Sequence, residues 1–155
     1  MNRFLPFVGA ALVALSPFVA SADDAHVVVG PDKLSWGPAP PSVPKGAQVA
    51  VLSGDPGKSG LYALRLKVPA GYKVPAHTHP TDENITVLSG SIHVGMGDKL
   101  DQKKGQAVKA GGFFNMPQGM HHYAWFTEAT VIQVHGQGPF AIDYINPADD
   151  PRKTN

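Results

Sequence analysis

The chain has 155 residues, with 13 Lys+Arg against 12 Asp+Glu, no cysteine, seven histidines, 17 glycines and 15 prolines. The length suits one domain with a real core, and the near-zero charge leaves no electrostatic footprint for nucleic acid or an anionic membrane. The lack of cysteine excludes disulfides, thiolate zinc sites and a thiol nucleophile, so the many histidines are the feature to follow.

Residues 1–22 have the layout of a secretory signal peptide. Met1-Asn2-Arg3 is a short basic start, residues 4–19 are apolar apart from Ser16, and Ala20-Ser21-Ala22 is a small-x-small site before Asp23-Asp24. Pro6 and Pro17 interrupt the apolar run, which is shorter than the ~20 residues a bilayer span needs. Cleavage between Ala22 and Asp23 is therefore expected, giving a periplasmic or secreted protein. No Arg-Arg pair precedes the run, so export by the general route is expected, with metal loading outside the cytosol. No later segment is apolar over ~18 residues, so no membrane attachment is expected after cleavage.

Residues 23–46 read as an extended N-terminal arm, with five prolines between Gly30 and Gly46. The arm is expected either to wrap the rest of the molecule or a neighbouring subunit, or to be a floppy linker. Residues 47–146 read as the folded body and 147–155 as a frayed polar tail. Glycine and proline punctuate the whole chain, and helices need ten or more uninterrupted residues. Short β-rich runs lie at 25–29, 48–52, 61–68, 85–88, 92–96, 106–108, 113–116, 121–126, 130–135 and 140–145. Turn residues such as Gly54-Asp55-Pro56-Gly57, Ser89-Gly90 and Gly111-Gly112 separate them. Many short strands at regular spacing point to an all-β sandwich or barrel.

The chemistry concentrates between Gly71 and Phe126. His77 and His79 are two apart, so on a strand they share a face, and Glu83 follows after Pro80 can turn the chain. Two imidazoles and a carboxylate from one short segment suit a borderline divalent metal. A further candidate opens the strand after Pro117-Gln118-Gly119-Met120, where His121 and His122 are adjacent.

Gly71-x5-His77-x-His79-x3-Glu83-x6-Gly90 resembles the first cupin motif at every fixed position. Gly111-x5-Pro117-x-Gly119-x2-His122 is similar to the second motif up to its histidine. The short spacing between the motifs is that of small single-domain cupins. The resemblance implies a double-stranded jelly-roll barrel holding one divalent transition metal (iron, manganese, zinc, nickel or copper) through His77, His79, Glu83 and His122. It also implies that Glu83 can leave the metal and act as a base. The second motif departs at its end, where many cupins have Asn and this chain has Phe126.

With His122 inward, alternation turns Ala124 and Phe126 into the cavity and His121, Tyr123 and Trp125 outward. An outward aromatic stripe is costly to leave wet, so the arm or a homodimer interface is expected to cover it. His135 is placed at the cavity mouth, His93 points away from the core, and His26 is incidental.

Three imidazoles and a carboxylate leave up to two positions of a six-coordinate metal open for water, dioxygen or an oxygen-bearing ligand. The resemblance implies oxidative chemistry, and the leading expectation is a metal-dependent oxidoreductase of dioxygenase or oxidase type acting on a small oxygenated molecule. Two alternatives stand beside it: a non-catalytic metal or small-ligand binding or sensor cupin, and a sugar isomerase or epimerase. The last finds little support, since Lys99, Lys103 and Lys104 read as a solvated loop beside Asp98 and Asp101.

Overall fold

The computed structural model describes residues 26–153. The expected leader 1–22 and its cleavage point lie outside the described residues. The strands are β1 (Gly37–Pro38), β2 (Gln48–Ser53), β3 (Gly60–Val68), β4 (Lys73–Thr78), β5 (Glu83–Ser89), β6 (Ser91–Met96), β7 (Gln106–Lys109), β8 (Phe113–Met116), β9 (His122–Trp125), β10 (Thr130–Gly138) and β11 (Asp143–Tyr144). They pair into a six-stranded sheet, β1-β2-β3-β10-β5-β8, and a five-stranded sheet, β11-β4-β9-β6-β7, and the pairings are antiparallel. From β3 to β6 the chain alternates between the sheets at each step, and from β8 to β11 it does so again. This is the jelly-roll barrel expected from the motifs.

The period of two decides what enters the barrel. On β10, Thr130, Ile132 and Val134 are buried while His135 is exposed; on β5, Glu83, Ile85 and Val87 are buried. Their apolar side chains join Tyr62, Leu64, Ile92 and Phe126 in a core between the sheets. Full burial of one such side chain contributes roughly 1.5–3 kcal/mol. Gly90, at the β5–β6 turn, has φ +73°, and a Cβ there would lie 2.5 Å from Thr130 Oγ1. Only glycine fits that backbone and that approach. Among the described residues, no helix is long and apolar enough to cross a membrane.

Several expectations change. The run at 25–29 forms no strand over its described part: residues 26–29 pair with no sheet, and Val27, Val28 and Val29 are exposed. β-branched residues favour a strand only where an edge is there to receive them. Of 140–145, only Asp143–Tyr144 pairs, because β11 meets just the last two residues of β4. β4 itself was hidden by Pro75, which sits where the β4–β9 register slips between Val74 and His77.

The arm lies against the body of the fold, as a wrapping arm would. β1 pairs with β2, Val43 is buried in the core, and Tyr144 Oη and Tyr72 Oη donate to the carbonyls of Ser42 and Pro44. The tail is not frayed up to residue 153. Asp150 is buried and takes two hydrogen bonds from the Arg152 guanidinium, which also donates to the Ile142 carbonyl.

The outward aromatic stripe is covered by the chain's own β6–β7 loop rather than by the arm. Tyr123 and Trp125 are buried in a second cluster with Ala76, flanked by Leu100 and Ile145. The β6–β7 loop folds over them. Tyr123 Oη donates to the carbonyls of Asp101 and Lys104, and Gly105 lies so close to Trp125 that a Cβ would approach its ring to 2.3 Å. The charged side chains of that loop hid a backbone that packs.

Candidate metal centre

The centre is built from both sheets. His77 near the end of β4 and His122 at the start of β9 are direct cross-strand partners, with ring centroids 4.2 Å apart. His79 lies just beyond β4, 4.9 Å from His77 and 5.2 Å from His122 between ring centroids. Its carbonyl accepts from Gly119 N–H, which ties the turn before His122 to the site. Glu83, the first residue of β5, enters from the opposite sheet. Its Oε2 lies 3.2 Å from His79 Nε2 and 3.8 Å from His122 Nε2. All four residues are buried.

Each imidazole is tied by its far nitrogen. The Nδ1 atoms of His77, His79 and His122 lie 2.7, 2.7 and 2.9 Å from the carbonyls of Pro75, Ala141 and Met120. A carbonyl can only accept, so each Nδ1 carries a proton, and each ring in its neutral form turns an Nε2 lone pair to the centre. One ligand atom from each ring lies within 4.8 Å of the others. His79 Nε2 is buried with no hydrogen-bond partner among the described residues, since Glu83 stands off the line such a bond needs. A locked Nδ1–H and a free, converging lone pair are how proteins prepare histidine for a metal. The donor set fits a borderline divalent ion.

Charge follows the same geometry. Burial, reinforced by the His122 and His79 rings, pushes the His77 imidazole down to about 3. Burial also lowers His122. Burial works against protonation of His79 too, but the Glu83 carboxylate beside it outweighs that and raises this imidazole. Burial opposes charge on Glu83, yet His79 and the two further imidazoles hold its carboxyl below the usual range. Two ligands are therefore neutral at pH 7, and the carboxylate is drawn towards positive charge among the rings.

The four polar groups sit at one end of an otherwise apolar cavity of about 60 Å³. Ala124 and Phe126 both line it, next to Tyr72, Val94 and Ile132. The cupin-typical Asn position is thus an apolar wall. His135 does not reach the cavity. Its neighbour Val134 takes the inward position with no exposed surface, so His135 lies on the outer face of the six-stranded sheet, 6.5 Å from the Phe113 ring. Asp82 also faces out, accepting from Gln118 N–H. His121 pairs with Asp98 at the surface, and His93 stacks on Trp125 at 4.9 Å.

The profile of the ChrR cupin-like domain matches residues 24–141, most of the chain. The chain belongs to this family. A germin-like protein 3-1 from Oryza sativa subsp. japonica is 36% identical over 67 residues, 43% of this chain. The match spans 30% of the rice protein's length. Among solved structures, the polyketide cyclase RemF from Streptomyces resistomycificus superposes with a TM-score of 0.68 at 18% identity, over 83% of this cupin and 91% of that chain. A proposed acetylacetone dioxygenase from Methylibium petroleiphilum PM1 gives 0.62 at 20% identity, over 84% and 88%. At such identities the two structures show the shared fold alone.

Three participants in the site were missed from sequence. Phe140 packs 5.6 Å from the His79 ring, Tyr144 lies 6.0 Å from the His77 ring, and the Ala141 carbonyl orients His79. Backbone acceptors carry no residue signal. The two aromatics lie well downstream of the histidines they touch: β11 brings Tyr144 back beside His77, and Phe140 is held by its N–H donating to the Pro56 carbonyl.

Proposed function

We propose that this cupin is an exported metal-dependent oxidoreductase, of dioxygenase or oxidase type, acting on a small oxygenated molecule. The observation that carries the reading is the set of three imidazoles with Nδ1 tied to carbonyls and Nε2 converging, beside a buried carboxylate. A bound iron, manganese, zinc, nickel or copper ion would supply positions for oxygen donors and, if redox-active, electron transfer. His77, His79, His122 and Glu83 would hold it. Glu83, ionised and next to His79, is the one buried carboxylate lining the cavity and is placed to take a proton from a substrate hydroxyl or α-carbon. The apolar walls exclude water and so strengthen every electrostatic contact inside. The fold is shared with a polyketide cyclase and a proposed dioxygenase, which supports an enzymatic reading.

A second reading, a non-catalytic binding or sensor cupin, is favoured by the small size of the cavity, about 60 Å³. A sugar isomerase finds no lysine or arginine in the lining to hold a phosphate. Oxygen uptake by metal-loaded protein across catechols, flavonols, diketones and oxalate separates the first two. Uptake above that of the free metal supports the enzyme. Tight ligand retention with no turnover on any of them supports the binder.

A further inference from the structure

A second apolar space of about 230 Å³ lies outside the metal-centre cavity, lined by Pro40, Val49, Val51, Pro56 and Leu64. Val43, Leu66 and Phe140 line both spaces, so these three side chains form the partition between them. Val43 is held from both sides: the carbonyls of Ser42 and Pro44, its neighbours, accept from Tyr144 and Tyr72. Phe140, another member of the partition, packs against the Tyr62 and His79 rings. The outer space is open towards solvent at Val51, which is 50% exposed. The chamber at the polar end is small and the space behind the partition is larger and wholly apolar.

From these two adjoining chambers and their shared wall we propose that the ligand of the metal centre has an oxygen-chelating head and an apolar tail, the tail displacing the Val43 and Phe140 side chains to reach the outer chamber. The inference rests on the metal reading above. The head takes the polar end, where His77, His79, His122 and Glu83 converge. The tail gains by leaving water for a chamber whose walls offer it no polar partner. Val43 sets how wide a tail can pass, and the two tyrosine hydroxyls set where Val43 stands.

The test is a calorimetric titration of zinc-loaded protein with straight-chain hydroxamates, from acetohydroxamate to octanohydroxamate, with metal content measured alongside. Affinity is expected to rise about fourfold per added methylene, levelling off when the chamber is full. The ratio of octanohydroxamate to acetohydroxamate affinity is read within each protein, so a general loss of metal or fold cancels. Val51→Asp, at a half-exposed position, is expected to collapse that ratio, and Val43→Ala to raise it. A flat series, or the same ratio in all three proteins, overturns the tail while leaving the metal reading intact. No retained zinc and no acetohydroxamate binding would overturn the metal reading and this proposal with it.

Discussion

Acid should destabilise the metal-free protein through His77, and the size follows from its burial. In the unfolded chain this imidazole protonates near 6.5, whereas in the barrel it stays neutral down to about 3. Between those values the unfolded state binds a proton that the folded state refuses, so stability falls as pH falls, by about 1.4 kcal/mol per pH unit. From pH 6.5 to 5 that amounts to about 2 kcal/mol from His77 alone. His122 is lowered by burial and acts in the same sense. His79 acts in the opposite sense, because its raised imidazole takes up its proton more readily in the folded state. The His77→Gln variant isolates the first contribution. Urea unfolding of chelator-treated protein, followed by tryptophan fluorescence at pH 7.5, 6.5, 5.5 and 5, should show the acid-side loss shrinking by about 2 kcal/mol in the variant. Equal pH slopes for the two proteins would refute the reasoning.

Other consequences follow from single contacts. Val134 has no exposed surface, so Val134→Ala should cost about 2–3 kcal/mol in urea unfolding, and a loss below half of that would argue against a packed β10 core. Gly105→Ala drives a methyl into the Trp125 ring and should cost about 1–3 kcal/mol with a red-shifted emission; unchanged emission and stability would show that the β6–β7 loop does not cover the indole. Metal affinity should fall about tenfold per pH unit as pH drops through the raised imidazole of His79, beginning above 6.5, with one proton released on binding. A pH-independent affinity between 8 and 6 would contradict that competition.

What could be read from the chain was local. The motif glycines, His77, His79, Glu83 and His122 lie in two short segments, and a strand's period of two places the side chains within each. What could not be read depended on chain segments meeting over long separations. The covering of Tyr123 and Trp125 came from the backbone of a loop whose lysines and aspartates signal solvent. His135 is expected at the cavity mouth because it ends a β-rich run, but its parity with Val134 sends it out. The tail's order rests on one buried carboxylate, Asp150, reached by Arg152 two residues on. β4 was obscured because Pro75 breaks its ladder two residues before His77. The proline that hid the strand also provides the carbonyl that orients His77.

The central claim is that His77, His79, Glu83 and His122 hold one divalent metal. Elemental analysis of protein purified from its native compartment, beside His77→Ala and His122→Ala prepared in the same way, tests it most directly. The account predicts one transition-metal ion per chain in the parent and none retained in either variant. A parent without metal, or variants with undiminished metal content, would contradict it.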